Sequence, residues 1–260
     1  MKFTRRQILI ATLIASLAAA GALLRSRPSW KIELDVPIIS AASLNVHRVK
    51  FKRGDVSFEA IIARMPRNGA KAKLVDLPEG KSLADAARDE GAMLAINGGY
   101  FDDAFLPVGL IRINDQETGS LLDQPPLSGL VVIDSAGTIN VAKRDPAALS
   151  FAASAFQAGP FLIEPGGEVG IHSSDGKAAE RTILAMDDRN VFVILMTPVT
   201  LFDAADALIA WPALGGASLD RALNLDGGPS SGVIIDAAGS RIQKPPRGRI
   251  RNTILFFPAS

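Results

Sequence analysis

The sequence predicts an α+β fold, a single domain with a mixed or antiparallel β-sheet core and a few flanking helices. Three observations carry that prediction. Short alternations of apolar and polar residues, broken by Gly, Asp, Asn and Pro, recur along most of the chain, as expected of half-buried strands joined by tight turns. Only two segments, opening at Ser82 and Thr200, join an N-capping residue to helical spacing. No Pro/Ser/Gly-rich linker divides the 260 residues, so residues 31–260 read as one domain behind an N-terminal segment, 1–30.

Composition removes several function classes. With 48% hydrophobic residues the chain can bury a sizeable core, and with no cysteine it does so without disulfides, zinc fingers or thiol catalysis. Two histidines, His47 and His172, exclude a multi-histidine metal site. The formal charge of +1 hides an asymmetry: five of the 28 Lys and Arg residues fall in positions 1–30, which hold no acid. The remaining 23 bases face 27 acids, which argues against nucleic acid as a partner.

Taken in order, residues 1–30 read as a signal peptide or membrane anchor. Lys2, Arg5 and Arg6 precede an uncharged run over residues 7–24, and small residues suited to cleavage follow at Ala18, Ala20 and Ala22. TRRQILI (4–10) has the paired arginines of a twin-arginine export signal. The folded part is therefore expected in the periplasm, or anchored facing it, with membrane contact only through this segment. Residues 29–43 read as a linker or early strand without clear pattern. NVHRVKF, a turn at 53–55, VSFEAIIARM and AKAKLVDL then read as hairpins. SLADAARDEG (82–91) is a helix capped by Ser82 with Asp85 and closed by Gly91. AMLAI (92–96) is a short buried strand delivering NGGYF. LVVIDSAGTI (130–139) and GVIIDAAGSRI (232–242) are hairpins on the same D-x-A-G turn. Residues 181–198 form another hairpin, turning at 187–190. Thr200 and Asp203 cap the helix LFDAADALIA, and LNL (223–225) returns as a buried strand ending on Asp226.

Chemistry concentrates in two glycine-bearing strings. In NLDGGPSSG (224–232) a strand ends on Asp226, and Gly227, Gly228, Ser230 and Ser231 can line a concavity for an anion or a sugar. In NGGYFDDAFLPVG (97–109) Asn97, Gly98, Gly99 and Tyr100 follow a strand, with Asp102 and Asp103 beyond; an aromatic ring beside amide and acid groups suits a sugar face. For each string the plain alternative is a glycine turn. Residues 228–232 also satisfy G-x-S-x-G, but strand-like residues follow and no histidine lies beyond His172, which argues against a serine hydrolase. Arg181 is the anion-binding candidate, with His172 and the basic tail KPPRGRIRN (244–252) as further polar candidates. Asp102, Asp103 and loop carbonyls are suitable ligands for a divalent cation such as calcium, although no run matches a metal loop; no cofactor is otherwise implied.

Together these strings resemble the phosphodiester glycosidase family, which includes the lysosomal uncovering enzyme. The resemblance rests on NGGYF (97–101), AGPFLI (158–163), ERTILAM (180–186), ALNLDGGPSSG (222–232) and IRNTILFF (250–257), in the family's order. Pro229 stands where a third small residue is expected, and Ile183 where a glycine often follows R-T. The resemblance implies hydrolysis of a sugar-1-phosphodiester in envelope or extracellular glycans, with a phosphorylated carbohydrate or glycolipid as substrate. On that reading Asp226 is the central carboxylate and Glu180 or Asp102 the second. Asn97, Ser230 and Ser231 position the sugar, while Arg181 and glycine amides cradle the departing phosphate. The alternative is a non-catalytic module that binds envelope polysaccharide or glycolipid through the same loops.

Overall fold

The computed structural model describes residues 29–77, 80–174, 176–211 and 218–259. All but the last two residues of the predicted leader lie outside that set. In chain order the strands are β1 (Lys31–Ala41), β2 (Leu44–Arg53), β3 (Val56–Pro66), β4 (Ala70–Asp76), β5 (Leu94–Asn97), β6 (Ile111–Ile113), β7 (Gln116–Thr118), β8 (Gly129–Ile133) and β9 (Ile139–Lys143). They continue as β10 (Ser154–Ala158), β11 (Phe161–Glu164), β12 (Glu168–Val169), β13 (Ala179–Met186), β14 (Asn190–Val199), β15 (Arg221–Asn224), β16 (Val233–Ala237), β17 (Ser240–Lys244) and β18 (Asn252–Pro258). Two α-helices accompany them, α1 (Leu83–Glu90) and α2 (Leu201–Ala210).

The strands make three sheets. An eight-stranded sheet runs β1-β2-β3-β14-β13-β15-β11-β12, one of five runs β7-β6-β10-β8-β9, and another of five runs β17-β16-β5-β18-β4. Their ladders are antiparallel. The two-residue period of a strand explains how the sheets stack. Along β14, Val191, Val193 and Leu195 join an apolar cluster that draws on all three sheets, while Phe192, Ile194 and Met196 face the opposite cluster beneath α2. β5 divides in the same way: Leu94 and Ile96 enter the central cluster and Ala95 the small cluster under α1. Each large side chain so buried contributes roughly 1.5–3 kcal/mol.

Both helices begin and end for local reasons. Ser82 accepts from the Asp85 amide at 3.1 Å, and Gly91, at φ +67°, closes α1 in the left-handed conformation. Thr200 accepts from the Asp203 amide at 3.0 Å.

Among the described residues two helices stand against three sheets, so the fold is sheet-dominated, more β than the expected α+β balance, because period-2 runs outnumber helical ones. Of the two readings left for residues 29–43 the strand holds, and one further expectation changes. β1 has its first seven residues exposed and is held there by its ladder to β2, while Ile39 near its end enters the central apolar cluster. β4 does not continue the β2–β3 hairpin but pairs with β18 at the far end of the chain. The consequence for function is that β5 and β15 end side by side, although they belong to different sheets.

Candidate active site

Asn97, the last residue of β5, is 1% exposed, and its side chain joins three segments. Its Nδ2 donates to the Asp226 carbonyl at 2.7 Å, and its Oδ1 accepts from Thr182 Oγ1 at 2.7 Å and from the Gly232 amide at 3.1 Å. Backbone bonds reinforce the junction: the Asp226 amide donates to the Gly98 carbonyl at 3.0 Å, and Leu225 to Thr182 at 2.9 Å. Asn97 is therefore occupied within the protein.

The following glycines permit close packing. A Cβ on Gly98 would lie 1.9 Å from Asn252 Oδ1, and one on Gly99 2.9 Å from the Phe156 ring. Their amides donate to the Asn252 carbonyl (3.0 Å) and to Asn252 Oδ1 (2.8 Å). These two amides thus turn inward, away from any ligand. Asn252 is a partner that sequence reasoning missed; the NGG string and the closing strand are 153 positions apart.

Tyr100 has its ring in the same wall. Its hydroxyl lies 2.5 Å from the Gly159 carbonyl oxygen and 3.1 Å from that of Leu225, and accepts from Asn224 Nδ2 at 2.9 Å. Burial is the main reason its pKa stands well above the ordinary tyrosine value. The Asp226 charge adds to that, while the Asn224 hydrogen bond and Arg181 oppose it. The phenol thus feels one carboxylate and one guanidinium together.

Asp226 carries the carboxylate. Burial raises its pKa, against hydrogen bonds from the Ser230 hydroxyl and from the Gly227 amide, the latter at 2.8 Å. No cation forms an ion pair with it among the described residues. Gly227 leads into a 3₁₀ turn, Gly228–Ser230, which Pro229 suits by its fixed φ. Ser230 Oγ also lies 3.1 Å from the Arg249 carbonyl. β16 follows directly, so no nucleophile elbow forms. His47 sits 2.5 Å from Asp35 on the β1–β2 ladder, His172 is exposed, and neither hydrogen-bonds Ser230. Two buried polar atoms beside Asp226, Asn224 Oδ1 and Ser231 Oγ, have no hydrogen-bond partner among the described residues.

Arg181 enters from the start of β13. Its Nε donates to the Val199 carbonyl at 3.1 Å and one terminal nitrogen to Lys177 at 2.8 Å, while Nη1 lies 3.9 Å from where a Cβ on Gly227 would stand. It has no acid partner among the described residues. Burial lowers its pKa from the ordinary arginine value, and the Tyr100 hydroxyl opposes the shift.

The other acids are placed differently. Glu180, adjacent to Arg181, faces Lys244 at 3.2 Å and Arg247 at 2.8 Å. Asp102 is exposed, and its carboxylate accepts the Leu106 amide at 2.9 Å in a loop turn. Asp103 is exposed as well. Among the described residues no three His, Asp or Glu side chains cluster as a metal site. The structure thus brings Asn97, Tyr100, Arg181, Asp226, Gly227 and Ser230 together, with Glu180 next to them, and leaves Asp102 outside their hydrogen bonds.

Residues 90–257 match the family model described as phosphodiester glycosidase. Among solved structures, a hypothetical protein from Synechocystis superposes with a TM-score of 0.60 at 18% identity, over 86% of this chain and 64% of that one. This chain therefore spans less than two thirds of that protein's length. The zebrafish N-acetylglucosamine-1-phosphodiester alpha-N-acetylglucosaminidase catalytic domain, auto-inhibited by its pro-peptide, superposes with a TM-score of 0.58 at 15% identity, over 89% of this chain and 84% of that one. At such identities the likeness is one of fold. A search of curated proteins returned no significant match.

Proposed function

The chain belongs to the phosphodiester glycosidase family, and from that premise we propose that it is an exported hydrolase of sugar-1-phosphodiesters in envelope or extracellular glycans. Water adds to the anomeric carbon, the C1–O bond breaks, and the phosphomonoester leaves with the bridging oxygen. The observation that carries this reading is a carboxylate and a guanidinium, Asp226 and Arg181, that meet at Gly227 and form no ion pair among the described residues: the Gly227 amide donates to Asp226 at 2.8 Å, and Arg181 Nη1 lies 3.9 Å from where a Gly227 Cβ would stand.

A glycosyl centre passes through an oxocarbenium-like transition state, which a half-buried carboxylate stabilises or attacks. Asp226 takes that part, as nucleophile or base. The leaving phosphate needs a cation more than a strong acid, and Arg181 supplies one through Nη1. Glu180, flanked by two cations and next in sequence to Arg181, is a better second carboxylate than Asp102, whose carboxylate closes a turn. Asn97 holds the loops, and Ser230 orients Asp226. The exported setting rests on the basic, apolar leader.

The test is hydrolysis of a panel of sugar-1-phosphodiesters, nucleotide sugars included, by the full chain in mild detergent, with and without a chelator. Wild type should release free sugar, and Asp226→Asn should lose about a thousandfold or more, the scale expected when a central catalytic group is removed. Equal turnover by the variant would overturn the assignment of Asp226. Glycan binding without turnover by folded wild type would favour the binding module instead.

A further inference from the structure

The tail from Lys244 to Arg251 carries four cations, and three have acid partners: Lys244 and Arg247 with Glu180, Arg251 with Asp76. Arg249 has none among the described residues. It is exposed, yet its guanidinium stacks on the Phe105 ring, 3.6 Å from the centroid.

Both ends of this contact are fixed. Phe105 is 7% exposed and stands at φ +63°, a left-handed conformation that non-glycine residues rarely hold unless their surroundings impose it. Its amide donates to the Asp102 carbonyl at 2.9 Å, and Phe101 packs edge-on against its ring with centroids 5.0 Å apart. On the other side, the Pro229 carbonyl accepts from the amides of Arg247 (2.9 Å) and Gly248 (2.8 Å), and Ser230 Oγ donates to the Arg249 carbonyl. Arg249 therefore bridges the loop that carries Tyr100 and the loop that carries Asp226. A guanidinium lying on a ring presents its N–H edge outward, and those donors make no hydrogen bond to the described residues.

Resting on the phosphodiester-hydrolase reading, we propose that Arg249 is a second phosphate-binding residue. It grips the substrate from the leaving-group side and makes the site prefer phosphodiesters to neutral glycosides. A phosphodiester has two non-bridging oxygens, and Arg181, with two of its nitrogens already held by carbonyls, offers one terminal nitrogen. Arg249 supplies the other donors, and Phe105 holds them in place.

The test uses the full chain, with inorganic phosphate and glycerol 1-phosphate titrated by calorimetry. Kinetics compare a cleaved sugar-1-phosphodiester with the nitrophenyl glycoside of the same sugar. Arg249→Gln should weaken both anions by about tenfold or more, the scale of a charge-assisted hydrogen-bond pair. It should raise KM for the phosphodiester and leave the nitrophenyl glycoside unchanged. Arg249→Lys and Phe105→Leu should fall between, because each keeps the charge and loses the stack. Unchanged phosphate affinity in a folded Arg249→Gln protein, or no millimolar phosphate binding by wild type, would overturn the proposal. Phosphate bound through Arg249 by a protein that releases no sugar would leave this residue assigned and overturn the hydrolase reading alone.

Discussion

The loops at the ends of β5 and β15 read almost alike, a polar residue and then two glycines, but the fold uses them in different ways. After β5 the polar groups turn inward. Asn97 ties three segments, and the Gly98 and Gly99 amides go to Asn252. After β15, Asp226 and the neighbouring Arg181 keep charges with no ion-pair partner among the described residues. The first loop is a joint, and the second, held by it, is the one on which the proposed chemistry rests. Polar residues beside glycines therefore point to a site only when their charges are not answered from within the protein.

The largest expected effect comes from loading the joint. Gly98→Ala puts a methyl 1.9 Å from Asn252 Oδ1 at a buried junction, and should destabilise the fold by about 3 kcal/mol or more in urea unfolding. Arg181→Gln acts on the other loop. Turnover should fall about a hundredfold, as for loss of one preorganised electrostatic donor, while the unfolding midpoint moves little. Gly228→Ala sharpens the contrast, because nothing lies within 4 Å of its Cβ position and only the φ of +60° opposes the change. It should cost about 1 kcal/mol in the same unfolding assay.

The smallest effect concerns Asp226 and pH. Burial raises its pKa above the ordinary aspartate value of about 3.9. Below that value the group is protonated in folded and unfolded chains alike and does not oppose folding. As pH rises, the unfolded chain ionises first, so the folded state loses stability until Asp226 ionises there too. Asp226→Asn should therefore melt above wild type at pH 7, with the gap closing as pH falls below about 4. Equal melting temperatures at every pH would remove burial as the cause. By the same shift, the acid limb of wild-type kcat/KM should fall above the usual aspartate range.

Much of this was legible in the sequence where the cause is local. Ser82 and Thr200 as caps, the two hairpins at the D-x-A-G strings, and a strand ending on Asn97 follow from neighbouring residues, whereas β15 stops at Asn224, two residues short of the expected end at Asp226. The partners of those residues were not legible. The choice of β18 over β3 by β4, the seat of Gly98 against Asn252, and the inward turn of the Tyr100 hydroxyl toward Gly159 depend on pairings across long loops that no periodicity reports. Asp102 shows the converse. A carboxylate beside a candidate sugar ring reads as chemistry in one dimension, but in three it takes the amide of Leu106 four residues on.

The Asn97 clamp also has a kinetic consequence. One side chain fixes the Asp226 carbonyl, Thr182 and the start of β16 at once, so ordering of the carboxylate is completed during folding, before substrate arrives. On the proposed function, no inactive but folded form of the chain is expected on warming. Its activity and its tertiary structure should vanish in the same narrow temperature interval, with no earlier loss of rate to a loosening loop.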